Sequence, residues 1–239
     1  MDEVKEIEWS DAVVARFWAY WSRRPHTYFA ESTGGALLRR FRPYLDRAGL
    51  VIDYGCGSGG LVNTLLGAGY RVLAVDFSAE SVAAVAERFS GSTGFAGAVR
   101  IDELGSERDA TADAVFLVEA IEHMNDERLD ECLARIRRLL KPGGYFIVTT
   151  PNREDIEAAK VYCPCCSTAF HPMQHQRSWS AQSLARCLEG AGFKVVRTLE
   201  TDLGADSPRP LLPYLIRMAK KALRRIDRDP HLCAVAVKA

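Results

Sequence analysis

The apolar residues of this chain fall into short continuous runs separated by helical stripes. Residues 50–54 and 71–75 are mostly apolar runs that end at glycine or aspartate, as strands buried on both faces do. Between these runs, Leu61, Val62 and Leu65 recur at the spacing of an amphipathic helix. The pattern therefore predicts a strand–helix–strand unit whose first turn is rich in glycine.

The same alternation continues to the end of the chain. Further strands are predicted at residues 95–101, 114–118, 145–150, 193–200 and 232–237. Helices are predicted at residues 125–141 and 180–191, and Ser78 and Ser180 are placed to cap helix N-termini. Strands that alternate with helices are typical of a doubly wound α/β domain, which is the fold class that we expect.

Four segments organise the chain in this interpretation. Residues 1–49 form an N-terminal helical cap, and residues 50–239 form the main domain, with insertions at 160–179 and 203–230. The cap is rich in aromatic residues at helical spacing, so its helices either cover one end of the sheet or act as a lid over a ligand. The candidates for contact with a ligand are Arg23, Arg24, His26 and Tyr28.

The glycine-rich turn after the first strand is the first candidate site. It reads Asp53-x-Gly55-x-Gly57-x-Gly59 and opens a helix, so backbone N–H groups can approach a ligand closely. Asp76 ends the next strand, where a carboxylate can accept both hydroxyls of a ribose. A nucleoside-containing cofactor is therefore expected, although a glycine turn can also serve packing alone.

Two cofactors fit this turn. The spacing Gly55-x-Gly57-x-x-Gly60 satisfies the dinucleotide pattern of NAD-binding proteins. The turn with its preceding Asp53 also resembles motif I of the class I S-adenosylmethionine (SAM) methyltransferases, in which this acid helps to hold the methionyl ammonium group. An acid would repel a pyrophosphate, so we favour SAM over NAD.

A second motif follows the fourth predicted strand. The segment Glu119-x-x-Glu122-His123 resembles the signature of ubiquinone-biosynthesis-type O-methyltransferases. The resemblance implies that Glu119 lies beside the cofactor and that His123 points at the methyl acceptor, which makes His123 and Glu122 the catalytic candidates. A positioned histidine can remove the proton of an acceptor hydroxyl. His123 could instead bond only to backbone at a helix start.

The E-x-x-E-H segment also has a metal-binding interpretation. Some small-RNA 3′-end methyltransferases have the same signature and hold magnesium with it and a later histidine, so Glu119, Glu122 and His123 form a candidate metal group.

The resemblance extends over about residues 45–160 and 180–239. It implies strand order 3-2-1-4-5-7-6 with strand 7 antiparallel, and it makes Asp102 a receiver of the adenine amino group. Phe77, directly after Asp76, is a candidate to lie against the adenine ring.

The insertion at 160–179 departs from this pattern. Cys163-x-x-Cys166 followed by His171-x-x-x-His175 has the spacing of a zinc site, so we predict structural Zn²⁺ in a loop over the substrate. Cys165 could replace one of the cysteines. A transient cysteine pair, packing cysteines or a catalytic role for either histidine are the alternatives. If only three of the residues bind, an acceptor oxygen could become the fourth ligand.

Composition narrows the class of protein. The 239 residues suit one α/β domain, and 31 basic against 31 acidic residues indicate no nucleic-acid partner. Seven cysteines and an acidic N-terminus without signal-peptide features favour a cytoplasmic protein. Residues 214–225 predict a basic amphipathic helix, which either docks on the domain or lies peripherally on an anionic membrane.

The function expected from the sequence is SAM-dependent methyl transfer to a small-molecule acceptor, a metabolite or natural product, at oxygen rather than nitrogen or carbon. The alternatives are an NAD-dependent oxidoreductase and a non-catalytic zinc module that retains SAM binding.

Overall fold

The computed structural model describes residues 4–22, 24–204 and 229–238. Arg23, the predicted helix at 214–225 and most of the 203–230 insertion lie outside the described residues. The helices are α1 (Asp11–Trp21), α2 (Phe29–Phe41), α3 (Gly60–Gly67), α4 (Ala79–Phe89), α5 (Asp126–Leu139), α6 (Ile156–Ala159) and α7 (Ala181–Gly190). The strands are β1 (Lys5–Glu6), β2 (Val51–Tyr54), β3 (Val72–Asp76), β4 (Phe95–Arg100), β5 (Ala112–Val118), β6 (Leu140–Pro151), β7 (Val161–Cys163), β8 (Thr168–Phe170), β9 (Phe193–Thr201) and β10 (His231–Lys238).

The main sheet has seven strands in the order β4-β3-β2-β5-β6-β10-β9. Strands β2 to β6 pair in parallel, whereas β10 pairs antiparallel with both β6 and β9. Numbered within this sheet alone, the order is 3-2-1-4-5-7-6 with strand 7 antiparallel. The predicted doubly wound fold and its strand order are therefore confirmed.

Helices cover both faces of this sheet. Every residue of β2 and β3 is buried, which is what central parallel strands between two helical layers require. Apolar side chains of α5 and α7 pack in the core on one face, and those of α2, α3 and α4 pack in the core on the other. The N-terminal helix α2 is thus part of the domain core, because Leu37 and Phe41 are buried in it.

The predicted N-caps are present. The Ser78 hydroxyl accepts the backbone N–H of Ser81, and the Ser180 hydroxyl accepts that of Ser183. One boundary differs from the prediction, because α5 ends at Leu139 rather than at residue 141. Leu140 is already extended and pairs with Ala112 at the start of β6.

The 160–179 insertion forms a hairpin, β7–β8, and β1 adds to it as a third strand. Lys160 joins the insertion to β1 through an ion pair with Glu6 at 2.7 Å, and it also pairs with Glu157 of α6 at 2.8 Å. The two-residue strand β1 carries no pattern that the sequence analysis could detect. Among the described residues, we find no helix with the length and apolarity needed to traverse a bilayer.

Candidate functional site

A cavity of about 500 Å³ lies at the carboxyl ends of β2, β3 and β5. It extends from the glycine turn after β2 to the E-x-x-E-H segment after β5, and the N-terminal helices and the insertion close its sides. The lining residues used below are Trp18, Tyr28, Asp53, Gly55, Gly57, Asp76, Phe77, Glu119, Glu122, His123, Gln174 and His175. Both candidate motifs of the sequence therefore face one cavity.

The glycine turn forms one wall of this cavity. Gly57 has φ = +51° and donates its N–H to Asp76 Oδ2 at 2.8 Å. A Cβ atom at this position would lie 2.5 Å from the ring of Tyr28, so only glycine fits beneath that ring. Gly59, with φ = +83°, does not line the cavity, and its missing Cβ makes room for Phe89 of α4 instead.

Two buried carboxylates lie beside this turn, because Asp53 and Asp76 are only 2% and 4% exposed. Burial, reinforced by the charge of Asp76, raises the pKa of Asp53 to about 7. Burial also raises the pKa of Asp76, although N–H groups of Ser78 and Gly57 counteract this. Within the described residues, no lysine or arginine contributes to either pKa. A cationic ligand would therefore be stabilised beside Asp53.

Of the two residues predicted to contact the adenine ring, only one lines the cavity. Phe77 lines the cavity at its outer edge. Asp102 does not line it: its side chain is 64% exposed and pairs with Arg100 at 2.6 Å. The adjacent Ile101 lines the cavity in its place. Strand β4 ends at Arg100, one residue before the predicted end, and the side chain at position 102 points away from the cavity.

At the other end, the backbone of Glu119 turns sharply out of β5 with φ = +46°, an uncommon conformation for a side-chain-bearing residue. Its Oε1 accepts the hydroxyl of Thr149 at 2.8 Å. Burial raises the pKa of Glu119 to about 7, against the hydrogen bond from Thr149. Thr149 thus holds the Glu119 side chain against β6.

Glu122 is 1% exposed. Its Oε2 accepts the Thr150 hydroxyl at 3.0 Å, whereas its Oε1 has no hydrogen-bond partner within the described part of the chain. Burial, followed by the charge of Glu119, raises the pKa of Glu122 well above its ordinary value. An orphaned buried carboxylate oxygen needs either a proton or a cation.

His123 lies next to Glu122, with its Nε2 3.9 Å from Glu122 Oε1. Its ring packs edge-on against Trp18 with a centroid distance of 4.9 Å. Burial, and then the nearby His175, lower the pKa of His123 to about 3. The imidazole is therefore neutral and a weak base, so the surroundings of His123 do not favour the predicted role of general base.

The insertion completes this end of the cavity. Gln174 Nε2 and Gln176 Nε2 donate to the carbonyl oxygen of His123 at 2.9 and 2.6 Å. Gln174 Oε1 also accepts the indole N–H of Trp18 at 2.8 Å. The cap helix α1, the insertion and the E-x-x-E-H segment are thus joined through one buried glutamine.

His171 and His175 lie at this junction, with their rings stacked 4.3 Å apart. Both contact Glu154, and His175 Nε2 lies 3.9 Å from Glu122 Oε1. Burial opposes ionisation of Glu154, but the hydrogen bonds and charges of His175 and His171 together outweigh it and lower the pKa of this carboxyl. Sequence reasoning missed Glu154, although its position just beyond the fifth strand of the main sheet was a usable signal.

The four predicted zinc ligands do not form one group in this structure. Among the described residues, those whose ligand atoms lie within 4.8 Å of one another are Glu122 with His123 and His175, and Glu154 with His171 and His175. Cys163 and Cys166 are in neither group. They lie at the end of the β7–β8 hairpin, whereas the histidines turn inward, so a Cys₂His₂ site would require the insertion to rearrange.

Comparison with known proteins agrees with this architecture. A 1,6-didemethyltoxoflavin-N1-methyltransferase from Burkholderia thailandensis, solved with S-adenosylhomocysteine, superposes with a TM-score of 0.62 at 20% identity, over 95% of this chain and 88% of its own. At that identity the likeness concerns the fold alone.

Two relatives are similar in sequence. A Mycolicibacterium smegmatis protein named "Probable S-adenosylmethionine-dependent methyltransferase" is 34% identical over 164 residues, 65% of this chain and 56% of its own length. A ubiquinone biosynthesis O-methyltransferase from Xanthomonas oryzae pv. oryzae is 33% identical over 117 residues, 46% of each chain. The chain thus spans about half the length of the curated relatives it matches.

The family comparison covers most of the described fold. The model of the family described as "Methyltransferase domain" matches residues 20–198, from the end of α1 to within β9. This match spans well over half of the chain and includes both motifs that line the cavity. The chain therefore belongs to the methyltransferase domain family.

Proposed function

We propose that this protein transfers a methyl group from SAM to a small-molecule acceptor, at an oxygen atom. The observation that carries the proposal is the single cavity that joins two buried carboxylates at the glycine turn to a histidine–glutamate cluster. The name of one sequence relative supports SAM as the cofactor, and the name of the other supports an oxygen acceptor.

The residues of the cofactor end suit this molecule. Asp76 lies where its carboxylate can accept ribose hydroxyls, and its hydrogen bond with the Gly57 N–H fixes its orientation. Asp53 offers a buried negative charge to the methionyl ammonium group. When bound, SAM would supply an electrophilic methyl group on a sulfonium. The chain's own task would be to position an acceptor in line with that group and exclude water.

The aromatic side chains of Trp18 and Tyr28, which line the cavity, are suited to excluding water from it. Trp18 contacts both Tyr28, at a centroid distance of 6.3 Å, and His123. It therefore bridges the two ends of the cavity from the N-terminal side. We propose that α1 acts as a lid over the cofactor and acceptor. This is the second of the two roles that the sequence analysis gave to residues 1–49, the first being to cover one end of the sheet.

Calorimetric titration tests the cofactor directly. S-Adenosylhomocysteine should bind, NADH should not, and Asp76→Ala should weaken binding of S-adenosylhomocysteine by roughly tenfold or more, since hydrogen bonds to a charged group contribute about 1.5–3 kcal/mol. Binding of NADH alone would instead indicate an oxidoreductase.

Methyl transfer needs a second measurement, with radiolabelled SAM and a panel of phenols, aliphatic alcohols and amines. Transfer to the hydroxyl compounds would support the proposal. Tight binding of S-adenosylhomocysteine without turnover on any of these acceptors would indicate a non-catalytic SAM-binding module.

A further inference from the structure

The cluster at the acceptor end brings three potential metal ligands together. Nε2 of His123 and Nε2 of His175 each lie 3.9 Å from Oε1 of Glu122, and the three ligand atoms lie within 4.8 Å of one another. Metal–ligand bonds of about 2.1 Å place ligand atoms roughly 3.4 Å apart in a tetrahedral site. The two glutamate–histidine distances would therefore need to shorten by about half an ångström to reach this spacing.

We propose that Glu122, His123 and His175 bind one divalent transition-metal ion beside the methyl acceptor, and that Glu154 orients His175 for this role. The proposal deepens the function proposed above, because the ion would lie where the acceptor is expected. Its test nevertheless depends on metal binding and not on methyl transfer.

One oxygen of the Glu122 carboxylate is unpartnered within the described part of the chain. This carboxylate is 1% exposed, and the hydroxyl of Thr150 fixes only its Oε2. Oε1 points between the two histidine rings and has no hydrogen-bond partner within the described part of the chain. A buried acceptor left unsatisfied destabilises the protein, and more so when the group is charged. A cation at this point removes that cost.

The tautomer of His175 also suits metal binding. Its Nδ1 lies in hydrogen-bond contact with Glu154 Oε2. Because an ionised carboxylate can only accept a hydrogen bond, Nδ1 carries the hydrogen and Nε2 keeps its lone pair. That lone pair faces Glu122. A carboxylate behind a histidine in this way is the usual outer support of a metal-bound imidazole.

His171 has the opposite tautomer. Its Nδ1 accepts backbone N–H groups of Met173 and His175, at 3.3 and 3.2 Å. The hydrogen of its neutral ring must then lie on Nε2, which is 3.2 Å from Glu154 Oε1. No lone pair remains for a metal, so the second cluster, Glu154 with His171 and His175, is not the metal site. His171 instead holds Glu154 in place.

The ligand set indicates the class of ion. Two imidazole nitrogens and one carboxylate suit zinc and its transition-metal neighbours, whereas magnesium favours oxygen ligands. Glu119, which the sequence placed in a candidate magnesium group, is held by Thr149. Three protein ligands leave a coordination position open, and an ion there would supply the acidity that lets an acceptor hydroxyl lose its proton.

The cysteines of the β7–β8 hairpin could also bind zinc, so the test begins by replacing them. The 239-residue chain with Cys163, Cys165 and Cys166 replaced by serine is purified without a metal-affinity tag and dialysed against a chelator. Zinc is then added, and its stoichiometry and affinity are measured by elemental analysis and competition with a chromophoric chelator. We expect one zinc per chain. Cobalt(II) should give the visible absorption of a low-symmetry site.

Three substitutions in this background separate the roles. Glu122→Gln and His175→Ala should each weaken zinc binding at least about 100-fold, and Glu154→Gln by roughly 10- to 100-fold, as loss of an outer-shell partner does. Circular dichroism and a cooperative unfolding transition check that each variant is folded. Unchanged zinc affinity in Glu122→Gln, or no zinc in the serine background, would overturn the proposal.

The result is independent of the proposed cofactor. Protein that binds S-adenosylhomocysteine but no zinc retains the proposed function and refutes the metal site. Protein that binds zinc but no S-adenosylhomocysteine supports the metal site and refutes the methyl donor.

Discussion

The Asp53→Asn substitution tests how the cofactor is held, because it removes a buried charge without changing the shape of the side chain. Asp53 is 2% exposed, and its pKa is raised to about 7 by burial and by Asp76. A ligand ammonium group favours the ionised carboxylate, so ligand binding should release a proton below that pH.

The magnitude follows from this pKa. At pH 5.5 about 3% of the ligand-free protein carries an ionised Asp53, so binding must first remove a proton at a cost of about 2 kcal/mol. The affinity for S-adenosylhomocysteine should therefore be about 30-fold weaker at pH 5.5 than at pH 8. At pH 8, Asp53→Asn should cost about 1.5–3 kcal/mol, or roughly 10- to 150-fold in affinity.

Calorimetry at several pH values, in two buffers of different ionisation enthalpy, measures both quantities. The unsubstituted protein should release about one proton per ligand at pH 5.5, and the Asp53→Asn variant should release almost none. Asp113 serves as a control carboxylate, since it is not among the residues that line the cavity. Asp113→Asn should keep the pH dependence. A variant Asp53→Asn with the full pH dependence would refute the reasoning.

Three further predictions concern stability and the cavity walls. Gly57→Ala places a Cβ 2.5 Å from the ring of Tyr28 at a residue with φ = +51°. It should therefore destabilise the fold by at least about 1–2 kcal/mol in thermal unfolding, and it should weaken binding of S-adenosylhomocysteine. The control variant Gly67→Ala, whose Cβ would have no neighbour within 4 Å, should not destabilise the fold. Trp18→Phe removes the hydrogen bond to the fully buried Gln174 and should cost about 1–2 kcal/mol in urea unfolding. Asp113→Ala should cost about 1 kcal/mol at pH 7, because the carboxylate accepts two backbone N–H groups and a lysine ammonium.

The pH dependence of the Asp113 effect has a definite sign. Burial opposes ionisation of this carboxyl, but the hydrogen bonds from Lys141 and the backbone outweigh it and lower its pKa. Its contribution is therefore present above the ordinary carboxyl pKa and is lost as the pH falls through the lowered value. Urea unfolding should show a difference between Asp113→Ala and the unsubstituted protein at pH 7 that disappears in acid. A difference that persists in acid would contradict this explanation.

The order of strands and helices was predictable because each depends on local pattern. Buried parallel strands are continuous apolar runs, and the helices between them repeat their apolar residues with a period of 3.6. The glycine turn and Asp76 were found for the same reason, since the end of a strand fixes where the next few residues must lie. The E-x-x-E-H segment faces the cavity because it directly follows β5.

The contacts of His171 and His175 could be identified only from the tertiary structure. Their spacing after Cys163 and Cys166 is compatible with one zinc site, but β8 separates the cysteines from histidines that turn toward Glu154. The partners of these histidines come from the segments that follow β5 and β6, roughly 20 to 50 residues away along the chain. The way in which a loop folds back over the sheet decides which distant segments meet. These contacts cannot be deduced from residue spacing within the loop.

The sequence by itself thus determined the fold, the two motifs and the edge of the sheet where they meet, because covalent neighbours and side-chain periodicity constrain all three. Only the tertiary structure decided the protonation and orientation of the side chains in the cavity. The low basicity of His123, the hydrogen on Nδ1 of His175 and the outward direction of Asp102 all follow from burial and from contacts between segments. Such contacts act through space, and so they cannot be deduced from positions along the chain.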